Sequence, residues 1–283
     1  MSRTQQLAVE RDALKTIVKL TNVFEGIASM RISQTKTEVL QSQQFFNELW
    51  KIYSQLRVDK LFHFGRRQTD DFVDKELAII ITAEGGFSGD IDQKLITTLM
   101  QQHDPKRQDI IVVGHHGAVQ LIQAGVAFKK YFSLPARDKN INVQPLVKEV
   151  RQYRSTKVFY PTYVSLMNQD VQMVELNVAV QERAQTDENL QEVISEETYI
   201  FEPSAYDVVA HLEGSMMQIA LGQFILDSKL AQYASRFRSM SVAKQRSQKS
   251  YGELKLQYTT ARRRAQDERL KEMTSGIKRS AQS

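Results

Sequence analysis

Both ends of the chain carry apolar residues at spacings of three and four. In the first arm Leu14, Val18, Thr21 and Ala28 sit near heptad spacing, with Ile17, Phe24 and Ile27 beside them. A second apolar set follows at Leu49, Ile52, Tyr53 and Leu56, and the stretch between, Ser33 to Gln44, is mostly polar. This predicts a helix packed at its two ends with a wetter middle, rather than a regular zipper. In the last arm Leu226, Leu230, Tyr233, Phe237 and Met240 step by four and three, and the seam resumes at Tyr251, Leu254, Tyr258, Ala261 and Ala265. The seam positions turn polar across Lys244–Lys249. A sustained 3.5-residue period implies a left-handed coiled coil, and the first arm, brought antiparallel, is the cheapest partner.

Helix breakers agree with this division. All five prolines (Pro105, Pro135, Pro145, Pro161 and Pro203) fall between the arms, and the first 64 residues hold one glycine, Gly26. Proline in a helix interior costs roughly 3 kcal/mol and glycine roughly 1 kcal/mol, so each arm reads as one long helix, and the chain as a rod with a globular foot. The arms are placed at 1–58 and 204–283, with an α/β body at 59–203.

The body switches period. Glu76–Thr82 reads as a buried strand, followed by the turn Glu84-Gly-Gly-Phe-Ser-Gly89 and a helix over Asp90–Gln102. A second strand, Asp109–Val113, runs into Gly114-His-His-Gly117 and a helix over Ala118–Gln123. This order predicts a Rossmann-like, mostly parallel sheet with right-handed crossovers. Val126–Phe132 adds a strand and Val143–Arg154 a helix. Lys157–Leu166 and Gln172–Val180 form two strands joined around Asn168–Asp170, and Tyr199–Pro203 is extended before the last arm.

Composition narrows the function. The 283 residues are 41% hydrophobic with a net charge of +5, and there is no cysteine, which removes disulfides and thiolate metal sites. The N-terminus lacks the apolar core of a secretory signal, and no apolar run approaches the ~20 residues of a membrane span. A soluble, cytoplasmic protein is expected. The basic excess lies in the last arm, which calls for an acidic partner: nucleic acid, anionic lipid or an acidic protein surface.

Candidate chemistry is thin. Gly85, Gly86 and Gly89 suggest a phosphate cradle at a helix N-terminus, yet no lysine stands where a P-loop needs one. The same residues make a tight strand-to-helix turn capped by Ser88 or Asp90. Ser88 with His115 or His116, and Asp109 nearby, lacks the G-x-S-x-G elbow that exposes a nucleophile, and adjacent histidines in a loop face solvent. The five histidines are scattered, so no metal and no cofactor are expected. Arg262-Arg-Arg264 suggests a nucleic-acid helix, but no aromatic platform is interleaved and Asp267, Glu268 and Glu272 break the field.

Taken in order, the short motifs resemble the gamma subunit, or central stalk, of F-type rotary ATP synthases, over essentially the full length. Lys19-Leu-Thr-Asn-Val-Phe24 is similar to that family's K-I-T-x-A-M, and Glu84–Asp90 to its D-R-G-L-C-G-G. Asp227-Ser228, Ser235–Met240, Leu256–Arg262 and Leu270–Gly276 are similar to its E-S, A-R-M-x-A-M, L-x-Y-N-x-x-R and E-L-x-E-I-x-x-G segments. There are departures. Phe24 stands at a usual methionine, Arg263 at a glutamine, and Gln266-Asp-Glu-Arg269 at I-T-x-E, which reverses a charge. The chain reads as a divergent branch.

The resemblance implies a non-catalytic rotor subunit that couples ion flow through a membrane ring to ATP synthesis or hydrolysis at the beta subunits. It implies a hexameric ring of alpha and beta subunits, an epsilon-type subunit and a membrane c-ring as partners. It also implies a peripheral position on the cytoplasmic side of the membrane, with neither nucleic acid nor direct lipid insertion. The residues expected to meet the beta subunits are Phe24, Arg236, Arg238, Lys244, Arg246, Lys249, Arg262, Arg263 and Glu268. Two other readings stay open on the residues alone: a coiled-coil protein binding nucleic acid through its last arm, and a small-molecule enzyme on the α/β body.

Overall fold

The computed structural model describes residues 3–55, 73–134, 136, 138, 141–176, 178, 202 and 204–280. By packing, the chain forms two compact units, Met1–Ala28 with Phe237–Ser283, and Ser29–Arg236. The expected domain boundaries at residues 58 and 203, the loop at 62–67 and most of the extended piece 199–203 lie outside the described residues.

Two helices dominate: α1 (Arg3–Gln55) and, at the other end, α5 (Ala205–Ser280). Between them run β1 (Glu76–Ile81), α2 (Ile91–Gln102), β2 (Gln108–Val113), α3 (His115–Gln123), β3 (Lys130–Phe132), α4 (Gln144–Val150), β4 (Thr156–Tyr163) and β5 (Gln169–Glu175). The sheet has five strands in the order β3-β2-β1-β4-β5. β1 pairs parallel with both β2 and β4, with Ile79 registered to Ile111 on one side and Val158 on the other. β3 is parallel to β2, and only β5 runs antiparallel, as a hairpin with β4. The Rossmann-like, mostly parallel sheet and the two long helices are as expected.

The central strands read as unbroken apolar runs because both faces are covered. Leu77, Ile79 and Ile81 of β1 face a core shared with Phe46 of α1, Leu146 and Val150 of α4, and Met216 and Phe224 of α5. Ala78 and Ile80 face Leu95 and Leu99 of α2 with Ala118 and Leu121 of α3. Unit two is therefore a sheet between two helical layers, one built from α2 and α3 and the other from α4 with parts of the two long helices.

Several local expectations change. α3 begins at His115, three residues early, so the paired histidines open a helix and do not sit in a loop. The cause is Glu84, whose carboxylate accepts the backbone N–H of His115 at 3.1 Å and so satisfies one of the helix's orphan donors. α2 has Asp90 at its cap position, but neither it nor Ser88 supplies a capping bond. Asp90 pairs instead with Lys94, and the Ser88 hydroxyl donates to Asp92. The second hairpin strand ends at Glu175, and Leu176, expected in it, is helical and buried.

The expected wet middle of α1 is packed. From Thr4 to Tyr53 the partly or fully buried residues include an unbroken three-four alternation, running through Ile32, Thr35, Val39 and Ser42. Hydropathy misses it because threonine, serine and glutamate occupy seam positions. Thr35 is wholly buried, and its hydroxyl donates to Asp138 Oδ2 at 2.9 Å.

Two glycines fasten the ends of β1 and β2. Gly114 has φ +103°, and a Cβ there would lie 2.2 Å from the Thr82 carbonyl oxygen. Gly117 donates its N–H to Thr82 Oγ1 at 2.9 Å, and a Cβ on it would strike the same side chain. Gly114→Ala is expected to destabilise the fold by about 3 kcal/mol, from left-handed strain and the clash. Gly125→Ala, with φ +70° but open space around it, should cost only about 1 kcal/mol. Urea midpoints of the two variants check this.

Candidate interaction surface

In an open parallel sheet a ligand sits outside the carboxyl ends of the strands, where the strand order reverses. Here that point lies between β1 and β4, and it is filled by α5. Ser228 donates to the Ile81 carbonyl at 3.4 Å, and Ser235 donates to the Ser88 carbonyl. Arg236 lays its guanidinium over the glycine turn, donating to Gly86 O at 3.2 Å and Gly85 O at 3.3 Å. Burial pulls this guanidinium below the usual arginine range, with Tyr233 and Asp92 opposing. The turn bends through Phe87 and Gly89, both at positive φ, and presents carbonyls to an arginine where a phosphate cradle presents N–H groups.

The serine and histidine of the same corner share an acceptor and do not address each other. Asp92, fully buried, accepts the Ser88 hydroxyl at 3.0 Å and the Ala83 N–H at 3.1 Å. His116 Nδ1 lies 2.8 Å from Oδ2, the same oxygen that the serine uses. The remaining carboxylate considered, Asp109, is taken by Lys75 and Tyr153, each at 2.8 Å. Burial pushes the Asp109 carboxyl up, but these bonds outweigh it and hold the group below its ordinary value. Among the described residues no group of His, Asp or Glu is arranged to hold a metal ion.

In unit one the first part of α1 and the last part of α5 run antiparallel. Arg11 stacks on the Tyr258 ring at 4.4 Å, and Glu25 pairs with Lys244 at 2.7 Å. Fourteen residues forward on α1, the partner on α5 has moved fourteen back, which is two heptads. The α5 side of the seam is Met240, Lys244, Ser247, Tyr251, Leu254, Tyr258, Ala261 and Ala265, all partly or fully buried. The polar break expected at Lys244–Lys249 is thus a continued seam in which an ion pair replaces apolar contact.

The expected contact residues fall into two sets. Arg238, Arg246, Lys249, Arg262, Arg263 and Glu268 are exposed. Arg236 and Lys244 are spent inside the chain, on the glycine turn and on Glu25. Phe24 is 39% exposed and lies in a stripe that the reading of the sequence missed. Val9, Ala13, Thr16, Leu20, Val23 and Ile27 repeat the three-four alternation two residues out of phase with the buried seam, and all are exposed. The signal was present as spacing, but one helix with two apolar stripes does not say which is buried.

The chain matches the family described as ATP synthase over residues 4–278. It is 21% identical to the ATP synthase gamma chain of Mycoplasmoides gallisepticum, covering 98% of this chain and 99% of that one. It is 20% identical to that of Trichlorobacter lovleyi, covering 93% and 94%. The chain belongs to the ATP synthase gamma family.

Solved structures agree on the fold. A chain in the rotor of the Euglena gracilis mitochondrial ATP synthase superposes with a TM-score of 0.60 at 12% identity, over 92% of this chain and 99% of that one. A chain from the central stalk and c-ring of the Tetrahymena thermophila enzyme gives 0.54 at 14% identity, over 79% and 99%. As a gamma-family protein this is a non-catalytic central-stalk subunit of an F-type ATP synthase, and the enzyme and nucleic-acid readings are not favoured. It is a stalk part of a membrane-bound complex. Among the described residues no helix is long and apolar enough to cross a membrane.

Lys244, with burial opposing, holds the Glu25 carboxyl below its ordinary value of 4.5. A carboxyl depressed by folding adds stability above its unfolded pKa and loses it as pH falls through the folded one. Thermal midpoints followed from pH 7 to pH 3 should therefore fall below about pH 4.5, and Glu25→Gln should remove that part of the slope. An identical slope in the variant would assign the acid sensitivity elsewhere.

Proposed function

We propose that the antiparallel pair in unit one is the part of the stalk that pushes on a ring of alternating alpha and beta subunits. On this reading an epsilon-type subunit and the membrane c-ring engage the α/β body, on the cytoplasmic face of the membrane. The observation that carries it is the division of charge on α5. Its ionic groups at the seam are neutralised within the chain, while Arg238, Arg246, Lys249, Arg262 and Arg263 remain on the solvent side. A shaft that meets each neighbour in turn needs contacts that form and break readily. Exposed ion pairs suit this, contributing about 0–1 kcal/mol each, and diffuse basic charge is attracted to any acidic lever.

Phe24 and the exposed stripe around it supply the complementary contact, an apolar surface that slides without directional bonds. Arg262, Arg263 and Glu268 would meet the upper part of the ring, where this chain departs from the family motif. Coupling follows from differential contact: a rotor that touches one catalytic subunit more favourably than the next shifts their conformations relative to one another. The shaft makes and breaks no covalent bond.

Arg236 and Lys244 are poor probes of this, because both have structural partners. The cleaner variant is Arg238→Glu, Arg246→Glu and Lys249→Glu together, in the assembled, membrane-reconstituted complex. Each exposed substitution should change stability by no more than about 0.5 kcal/mol, so the subunit should fold and assemble. Ion transport per ATP hydrolysed should fall several-fold. Full coupling in that variant would remove the basic surface from the mechanism.

A further inference from the structure

We propose that Asp138 is a register pin, a positioning residue whose buried carboxylate locks α1 against α5 and so keeps the stalk from slipping along its own heptad repeat. The carboxylate stands between two pairs of cationic or hydroxyl side chains, each pair one helical turn apart. On α1, Thr35 Oγ1 donates to Oδ2 at 2.9 Å, and Arg31 lies 4.0 Å from the same oxygen. On α5, Lys229 forms an ion pair with Oδ1, and the Tyr233 phenol, one turn on, is held above its ordinary pKa by burial and by the charge of the same carboxylate. The Lys229 side chain is 3% exposed and that of Asp138 6%.

The seam is nearly symmetric under a heptad shift. Apolar residues spaced by three and four look nearly the same after a slip of seven, so the seam by itself sets the register weakly. The sheet holds α5 in place, and Asp138, between β3 and α4, ties α1 to that position. The pin is not periodic. Seven residues along from Arg31 and Thr35 stand Glu38 and Ser42, and seven residues back stand Phe24 and Ala28. One slip would bring a second carboxylate to Asp138, and the other would leave it facing an aromatic ring and a methyl group. On α5, Lys229 and Tyr233 would be replaced by Arg236 and Met240 in one direction, or by Gly222 and Leu226 in the other. No heptad slip reproduces all four side chains around Asp138. A buried charge without its partner is strongly disfavoured, so one polar position selects the register, as a single buried polar residue does in coiled coils. A slip of one heptad moves a helix by about 10.5 Å, far more than a torque-bearing contact tolerates.

The consequence for coupling rests on the rotor function, but the register itself does not. The chain has no cysteine, so introduced pairs report without background. Glu25→Cys with Lys244→Cys reads the native register. Val18→Cys with Lys244→Cys, and Glu25→Cys with Tyr251→Cys, read a slip of seven in each direction. In the assembled complex only the native pair should crosslink. In Asp138→Leu with Lys229→Met, which removes both charges together, a slipped pair should reach at least a tenth of the native yield. Ion transport per ATP should fall several-fold while the thermal midpoint stays within a few degrees. Thr35→Val, which keeps the ion pair, should give the same slipped product at lower yield and serves as the test if the double variant fails to fold. Lys229→Arg should restore a single register. Native-only crosslinks in the Leu/Met or Thr35→Val backgrounds would overturn the pin. Slipped crosslinks with unchanged transport would keep the pin and count against the torque reading instead.

Discussion

Everything in unit two depends on how α5 lies on the sheet between Met216 and Arg236. Within that stretch the helix supplies Met216 and Phe224 to the central core and stacks Phe224 on Tyr160 at 4.8 Å. It then closes the carboxyl end of the strands with Ser228, Ser235 and Arg236. A helix with one apolar stripe buries one face. This one is buried nearly all round, from Ala220 to Ser235, including Gln223, Ser228, Lys229 and Gln232. Those polar groups are tolerable because they are bonded, with Gln232 donating to Ser228 at 2.8 Å and Lys229 paired with Asp138.

That placement also separates this sheet from an enzyme's. The crevice that holds a nucleotide or substrate in other open α/β sheets is occupied by the chain's own helix, and its glycine turn is consumed by an arginine. The sheet acts as a clamp on α5. Its far ends are stitched by ionic bonds, Lys157 to Glu76 at 2.9 Å and Lys130 to Glu149 at 2.8 Å, which stiffen strands that have no catalytic loops to carry.

Unit one follows the opposite rule. Its seam is one side chain wide and partly ionic, and the rest of its surface is exposed: basic on α5, apolar along Val9–Ile27 of α1. A thick core would make a sturdier pair, but it would bury the side chains with which a stalk touches its partners. The two units differ in burial: polar and charged groups are bonded where the chain holds itself, and basic groups are left on the solvent side of unit one, which is where the proposed contacts would form.

The period of the chain alone determined a good deal. The 3.5-residue stripe of α5, the proline-free arms, and the apolar runs Glu76–Thr82 and Asp109–Val113 identified two long helices and a parallel sheet, because such patterns depend only on which residues shun water. Spacing also carried the family. The packed middle of α1 was hidden, since Thr35 is apolar only in the sense that its hydroxyl is satisfied by Asp138, a partner 103 residues away. Arg236 and Lys244 were expected among the contact residues because sequence records charge but not direction. The fold turned one onto the glycine turn and the other onto Glu25. The sequence by itself set which segments are helix, strand and shaft. Tertiary structure decided which polar groups are spent inside and which remain for partners, because that depends on contacts between segments that no local pattern encodes.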